Sequence, residues 1–140
     1  MTPASGKFLL DTNIVIALLQ GEAAVLSNLD RAAEVFVPAV ALGELFFGAA
    51  KSGRPDENAA NVERFAAGST VVVCDLDVAR EYGLIKQRLK ERGRPLPEND
   101  IWIAATATAH QMVLVTRDRH FVEVEHLRTA DWASPAGTPS

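Results

Sequence analysis

The sequence has one cysteine, Cys74, among 140 residues, so no disulfide can form within the chain and a disulfide-stapled fold is excluded. Cys74 closes the apolar run Val71–Val72–Val73–Cys74 and reads as a small buried hydrophobe rather than a reactive thiol. Long apolar runs are missing as well. The longest, Ile14 to Leu19, falls far short of the roughly 20 residues needed to cross a bilayer. Residues Met1 to Gly6 are small and polar, and Asp11 cuts short the first apolar stretch, Phe8–Leu9–Leu10. No signal-peptide core is expected there, and cytoplasmic residence is the default. Positive charge is not in excess: 14 Lys and Arg stand against 18 Asp and Glu, a net charge of −4. The molecule as a whole is therefore not a polycation drawn to nucleic acid. A set of site carboxylates would account for part of that deficit, and a bound divalent cation would reverse their local field. Neither a phosphate-binding glycine loop nor a Ser/His or Cys/His arrangement is present.

What is present is the profile of one globular domain, with 48% hydrophobic and 23% charged residues and an apolar content rich in Ala, Val and Leu. Residues 1–132 are assigned to that domain. The Pro-, Ser-, Gly- and Ala-rich residues 133–140 are expected to be a disordered tail. Phe8–Leu10, Val35–Val37, Val71–Cys74 and Met112–Val115 read as short buried strands, and a weaker fifth is expected near Val122 to Val124. Helices are expected after Asp11, after Gly21, from Pro38, over Asn58 to Ala67, over Val78 to Arg92 with Ala79, Tyr82, Ile85 and Leu89 inward, and from Asp100 to Ala109. Phe46, Phe47 and Trp102 read as core or dimer contacts. Apolar strands alternating with helices imply βαβ units, and hence an α/β fold: a three-layer α/β/α sandwich around a mostly parallel sheet of four to five strands.

In such a sheet ligands bind beyond the carboxyl ends of the strands. Asp11 directly follows the first strand, Asp118 follows the fourth, and Asp100 opens the helix leading into that fourth strand. Glu44 is the only charge between Ala39 and Ala50. Singly, Asp11 could be a helix cap, Asp100 a first-turn acid and Asp118 a loop residue. Together, four acids from four segments fall toward one crest. Carboxylates in contact repel by about 1 kcal/mol per pair at 4 Å even in water. An oxygen-only set of this kind suits Mg²⁺ or Mn²⁺, and such an ion serves phosphoryl transfer to water.

The segments Leu9–Leu10–Asp11–Thr12–Asn13, Leu42–Gly43–Glu44–Leu45, Asn99–Asp100–Ile101–Trp102–Ile103–Ala104 and Leu114–Val115–Thr116–Arg117–Asp118 together resemble the four signature stretches of the PIN domain, in its bacterial VapC-type toxin branch. The resemblance runs from Phe8 to about Trp132. It implies a Mg²⁺- or Mn²⁺-dependent endoribonuclease acting on structured RNA such as tRNA or rRNA, a homodimer, and a cognate antitoxin that blocks the site. By the same resemblance Asp11, Glu44, Asp100 and Asp118 would be the metal-site acids, Thr116 the hydroxyl within the cluster and Asn13 the residue that orients the first Asp. Some relatives carry a further acid just beyond the fourth, where this sequence has Arg119 and His120, so a second metal is not implied. His120 itself reads as solvent-facing.

Lys86, Arg88, Lys90, Arg92 and Arg94 form a basic run that reads first as a solvated helix face. Lys86 and Arg88, with Arg117 and Arg119, are the candidates for RNA phosphate contacts. A haloacid-dehalogenase-type phosphatase would need an acid where Asn13 stands, and a receiver domain would need an acidic pair before Asp11. The remaining alternative is a non-catalytic PIN-like module that binds RNA or protein without cutting.

Overall fold

The computed structural model describes residues 6–133; the expected tail, apart from Ala133, lies outside the described residues. Five strands form one parallel sheet: β1 (Lys7–Leu10), β2 (Glu34–Pro38), β3 (Thr70–Val72), β4 (Val113–Val115) and β5 (Thr129–Ala130). The helices are α1 (Thr12–Leu19), α2 (Ala23–Arg31), α3 (Ala39–Ala50), α4 (Pro55–Ala67), α5 (Leu76–Glu91) and α6 (Glu98–Ala109). No single one is long and apolar enough to cross a membrane among the described residues.

Side chains alternate across each strand, so neighbours in sequence enter opposite layers. Leu9 and Leu114 face a core built with Val78, Ile85 and Leu89 of α5 and Ile101, Ile103 and Ala104 of α6. Leu10 and Val115 face the other, built with Ile14 and Val15 of α1, Val25 of α2, Val62 of α4 and Trp132. From α3, Ala41 belongs to the first core and Leu42 to the second. The result is the expected three-layer α/β sandwich.

Strand order is β3-β2-β1-β4-β5. The chain therefore adds strands on one side of β1 and then returns to the other. Between β1 and β4 the connections leave in opposite directions, which opens a crevice above the carboxyl ends of those two strands. Asp11 and Thr116 immediately follow them.

Several expectations change. Pro38 ends β2 as the residue before α3, and the helix begins at Ala39. The fourth helix starts at Pro55, whose missing N–H is harmless at the first helical position. α5 starts at Leu76, capped by the Asp75 carboxylate accepting from Val78 N at 2.9 Å, and Gly93 follows it with φ +64°. Its Ala79 is exposed, the buried stripe being Val78, Ile85 and Leu89 with Tyr82 beside it. Cys74 is exposed: β3 is an edge strand that ends at Val72, and the chain leaves the sheet before reaching it. No strand forms at Val122 to Val124. A 3-10 turn, Arg119–Glu123, drives Phe121 into the core and leaves Val122 exposed, and the fifth strand forms later, at Thr129–Ala130. Phe47 is 65% exposed and is no core residue, whereas Phe46 and Trp102 pack partly buried.

Candidate metal centre

Asp11 is the pivot. Its backbone N–H donates to Val115 O at 2.9 Å, which ties the ends of β1 and β4 together. One carboxylate oxygen caps α1 by accepting from Thr12 N at 2.9 Å. The other accepts from the Thr116 hydroxyl at 2.7 Å and from Asn13 Nδ2 at 3.3 Å. That hydroxyl also accepts from Asp118 N at 3.0 Å, so a single oxygen fixes the spacing of Asp11 and the Asp118 loop. Asn13 reaches the same loop, its Oδ1 accepting from Arg117 N at 3.3 Å.

The other acids arrive on helices. Glu44, in the second turn of α3, accepts from the Thr12 hydroxyl at 2.8 Å. Asp100 sits in the first turn of α6, which begins two residues earlier than expected, at Glu98. His120 Nε2 lies 2.9 Å from Asp100 Oδ2 and 3.8 Å from Asp118 Oδ2. The histidine thus turns its Nε2 into the cluster while a third of its side chain stays exposed, and Thr12 holds an acid from a distant helix. Neither role was legible in sequence, since nothing in the spacing says which way a residue of a 3-10 turn points.

The electrostatics register the crowding. Asp11 is 2% exposed, and burial first, then repulsion from Asp100 and Asp118, raises its pKa to about 6 against the donors Thr116 and Thr12. Burial likewise raises Asp100, with Glu44 and Asp118 repelling it and His120 opposing the shift. Each of the four acids therefore lies within the field of another. Among the described residues no Lys or Arg pairs with any of them.

The basic candidates point elsewhere. Arg117 grips Glu22, with Nη1 donating at 3.1 Å, and Lys86 lies 3.0 Å from Glu98 and bonds Tyr82. Arg92 pairs with Glu123 at 3.0 Å, while Arg88 and Arg119 are exposed. A groove of about 1000 Å³ opens beside Thr12 and Glu44, walled by Ile16, Leu19, Val40 and Phe47.

Oxygen-rich, without a Lys or Arg partner among the described residues and anchored on buried Asp11, the donor set fits a hard divalent cation. The PIN domain sequence profile matches residues 8–127. The chain belongs to the PIN domain family. Within that family this PIN domain is 36% identical over 129 residues to a Haemophilus influenzae protein named Ribonuclease VapC2, covering 90% of this chain and 98% of the relative. It is 36% identical over 131 residues to the Shigella flexneri tRNA(fMet)-specific endonuclease VapC, covering 91% and 98%. Among solved structures it is similar to the DNA-bound VapBC of Salmonella typhimurium, with a TM-score of 0.83 at 32% identity over 90% of this chain and 98% of that one.

Proposed function

We propose that this PIN domain is a divalent-metal-dependent endoribonuclease, the toxin of a type II toxin–antitoxin pair. The observation that carries the reading is the convergence of Asp11, Glu44, Asp100 and Asp118 at the β1/β4 crevice without a Lys or Arg counter-charge among the described residues. A module that only binds gains nothing from such a repulsive cluster. The four acids would hold Mg²⁺ or Mn²⁺. When bound, the ion supplies a more acidic water and neutralises charge on the scissile phosphate.

The protein's own part is positioning. Asp11 is held on both oxygens, by Thr12 N on one and by Thr116 and Asn13 on the other, so its carboxylate cannot rotate away. Thr12 aims Glu44, and Thr116 sets the distance to the Asp118 loop. Such preorganisation lets the site meet charge as it develops without rearranging.

The likeness to curated ribonucleases supports RNA as substrate, and the tRNA-specific relative makes a tRNA the first substrate to try. Arg88 and Arg119, exposed at the surface, are the basic candidates left to meet phosphates. The likeness to VapBC supports a cognate antitoxin as partner, and a homodimer is the proposed state, which sedimentation measures. Purified protein should cleave RNA with Mg²⁺ or Mn²⁺, stop with EDTA, and lose cleavage in Asp11→Asn and Asp100→Asn while staying folded. A folded, inhibitor-free, metal-supplied wild type that cuts no RNA offered would refute the reading and favour a binding module.

A further inference from the structure

His120 lies two residues beyond Asp118, and although a third of its side chain is exposed, its Nε2 turns toward the acid cluster. Nε2 is shielded from solvent, 2.9 Å from Asp100 Oδ2 and 3.8 Å from Asp118 Oδ2, while the ring lies 4.8 Å from that of Phe121. Phe121 is 1% exposed and anchors the 3-10 turn, so the imidazole is held in place by a core residue next to it. One ligand atom each from Asp100, Asp118 and His120 fall within 4.8 Å of one another.

One of those separations matches octahedral coordination geometry. Two atoms about 2.1 Å from a shared octahedral ion stand about 3.0 Å apart when adjacent and about 4.2 Å apart when opposite. The Asp100 contact fits an adjacent pair, and the Asp118 contact lies between the two limits. Without an ion, an Nε2–H of His120 satisfies the Asp100 contact by donating to Oδ2 at 2.9 Å. On the nuclease reading above, the divalent ion of the site would take the place of that proton.

We propose that His120 is a direct nitrogen ligand of the metal site, alongside Asp100 and Asp118, and that it biases the site toward Mn²⁺ over Mg²⁺. The bias follows from the donor atoms. Imidazole suits transition-metal ions, whereas Mg²⁺ prefers carboxylate and water oxygen. An acid at position 120 would leave an all-oxygen set; the histidine converts it to a mixed one.

The test is metal binding, independent of turnover. Calorimetric titration with Mn²⁺ and with Mg²⁺ would be run on wild type, His120→Ala and His120→Asp, with pulsed electron paramagnetic resonance of the Mn²⁺-loaded proteins. Wild type should show ¹⁴N coupling from a bound imidazole, absent from both variants. His120→Ala should weaken Mn²⁺ by about tenfold or more, the scale reported for groups that support a metal site, and Mg²⁺ by much less; His120→Asp should restore Mg²⁺ affinity better than Mn²⁺. Absence of ¹⁴N coupling in folded wild type, or equal weakening of both ions, would overturn the proposal and leave His120 as a residue that merely orients Asp100. Asp11→Asn separates the two readings. If it abolishes RNA cleavage while His120→Ala leaves Mn²⁺ affinity unchanged, the nuclease reading stands and the histidine ligand falls. A wild type that binds neither ion sinks both.

Discussion

Replacing Asp11 by Asn should stabilise the metal-free protein at neutral pH and destabilise it in acid. The folded carboxyl titrates at about 6 against an ordinary 3.8, chiefly because it is buried. A carboxylate whose folded pKa is raised opposes folding once ionised. As pH climbs from about 4 to about 6 the unfolded chain has released its proton and the folded one has not, so wild-type stability falls across that window and levels off above it. Two pKa units correspond to about 3 kcal/mol. Asn carries no charge and escapes this loss. Its amide, however, serves the site less well, because Nδ2 would face the Thr116 hydroxyl that now donates to Asp11. One hydrogen bond lost there costs about 1 kcal/mol.

In EDTA the variant should therefore be about 2 kcal/mol more stable than wild type near pH 7 and about 1 kcal/mol less stable near pH 4. Near pH 7 that is a rise in melting temperature of about 6–8 °C for a domain of this size. Melts followed by circular dichroism at both pH values, with wild type alongside, measure the crossing. Saturating Mn²⁺ should reverse the order at pH 7, since only the intact acid set gains the ion's binding energy. A variant equally destabilised at both pH values in EDTA would refute the reasoning, for then the Asp11 charge would carry no penalty.

Thr116→Val should cost about 1–3 kcal/mol, because it strips a donor from a buried carboxylate and an acceptor from Asp118 N, whereas Thr116→Ser should stay near wild type; chemical denaturation of both gives the comparison. Thr116→Val should also push the Asp11 carboxyl further up, which would appear as a loss of stability that continues above pH 6, where wild type levels off. Leu114→Ala, at a wholly buried position of central β4, should cost about 2–5 kcal/mol by urea unfolding, with no dependence on metal. Mn²⁺ at about 100 times its dissociation constant should raise wild-type stability by about 2.7 kcal/mol. Asp100→Asn should remove most of that gain in the same thermal assay.

Much of the fold could be read directly, because its determinants are local. Continuous apolar strands such as Phe8–Leu10 and Val113–Val115, each flanked by helical periodicity, leave little choice but parallel βαβ units. The misplaced pieces are those whose state depends on neighbours. Cys74 was expected inside because the run before it is apolar, yet β3 is an edge strand and lets go early. Val122 to Val124 looked like a strand by composition, but burying Phe121 demanded a turn, and a strand as short as Thr129–Ala130 carries no periodic signal of its own.

For the site, the chain alone determined which acids exist and that Asp11 and Asp118 follow strands, since strand ends are marked by local pattern. What only the tertiary structure decided is that β4 returns to the far side of β1, making the crevice where those acids meet. It also decided that Thr116 bridges them and that His120 turns inward against Phe121. Proximity across 105 positions is a property of packing, and so are burial and repulsion, which together displace the Asp11 pKa.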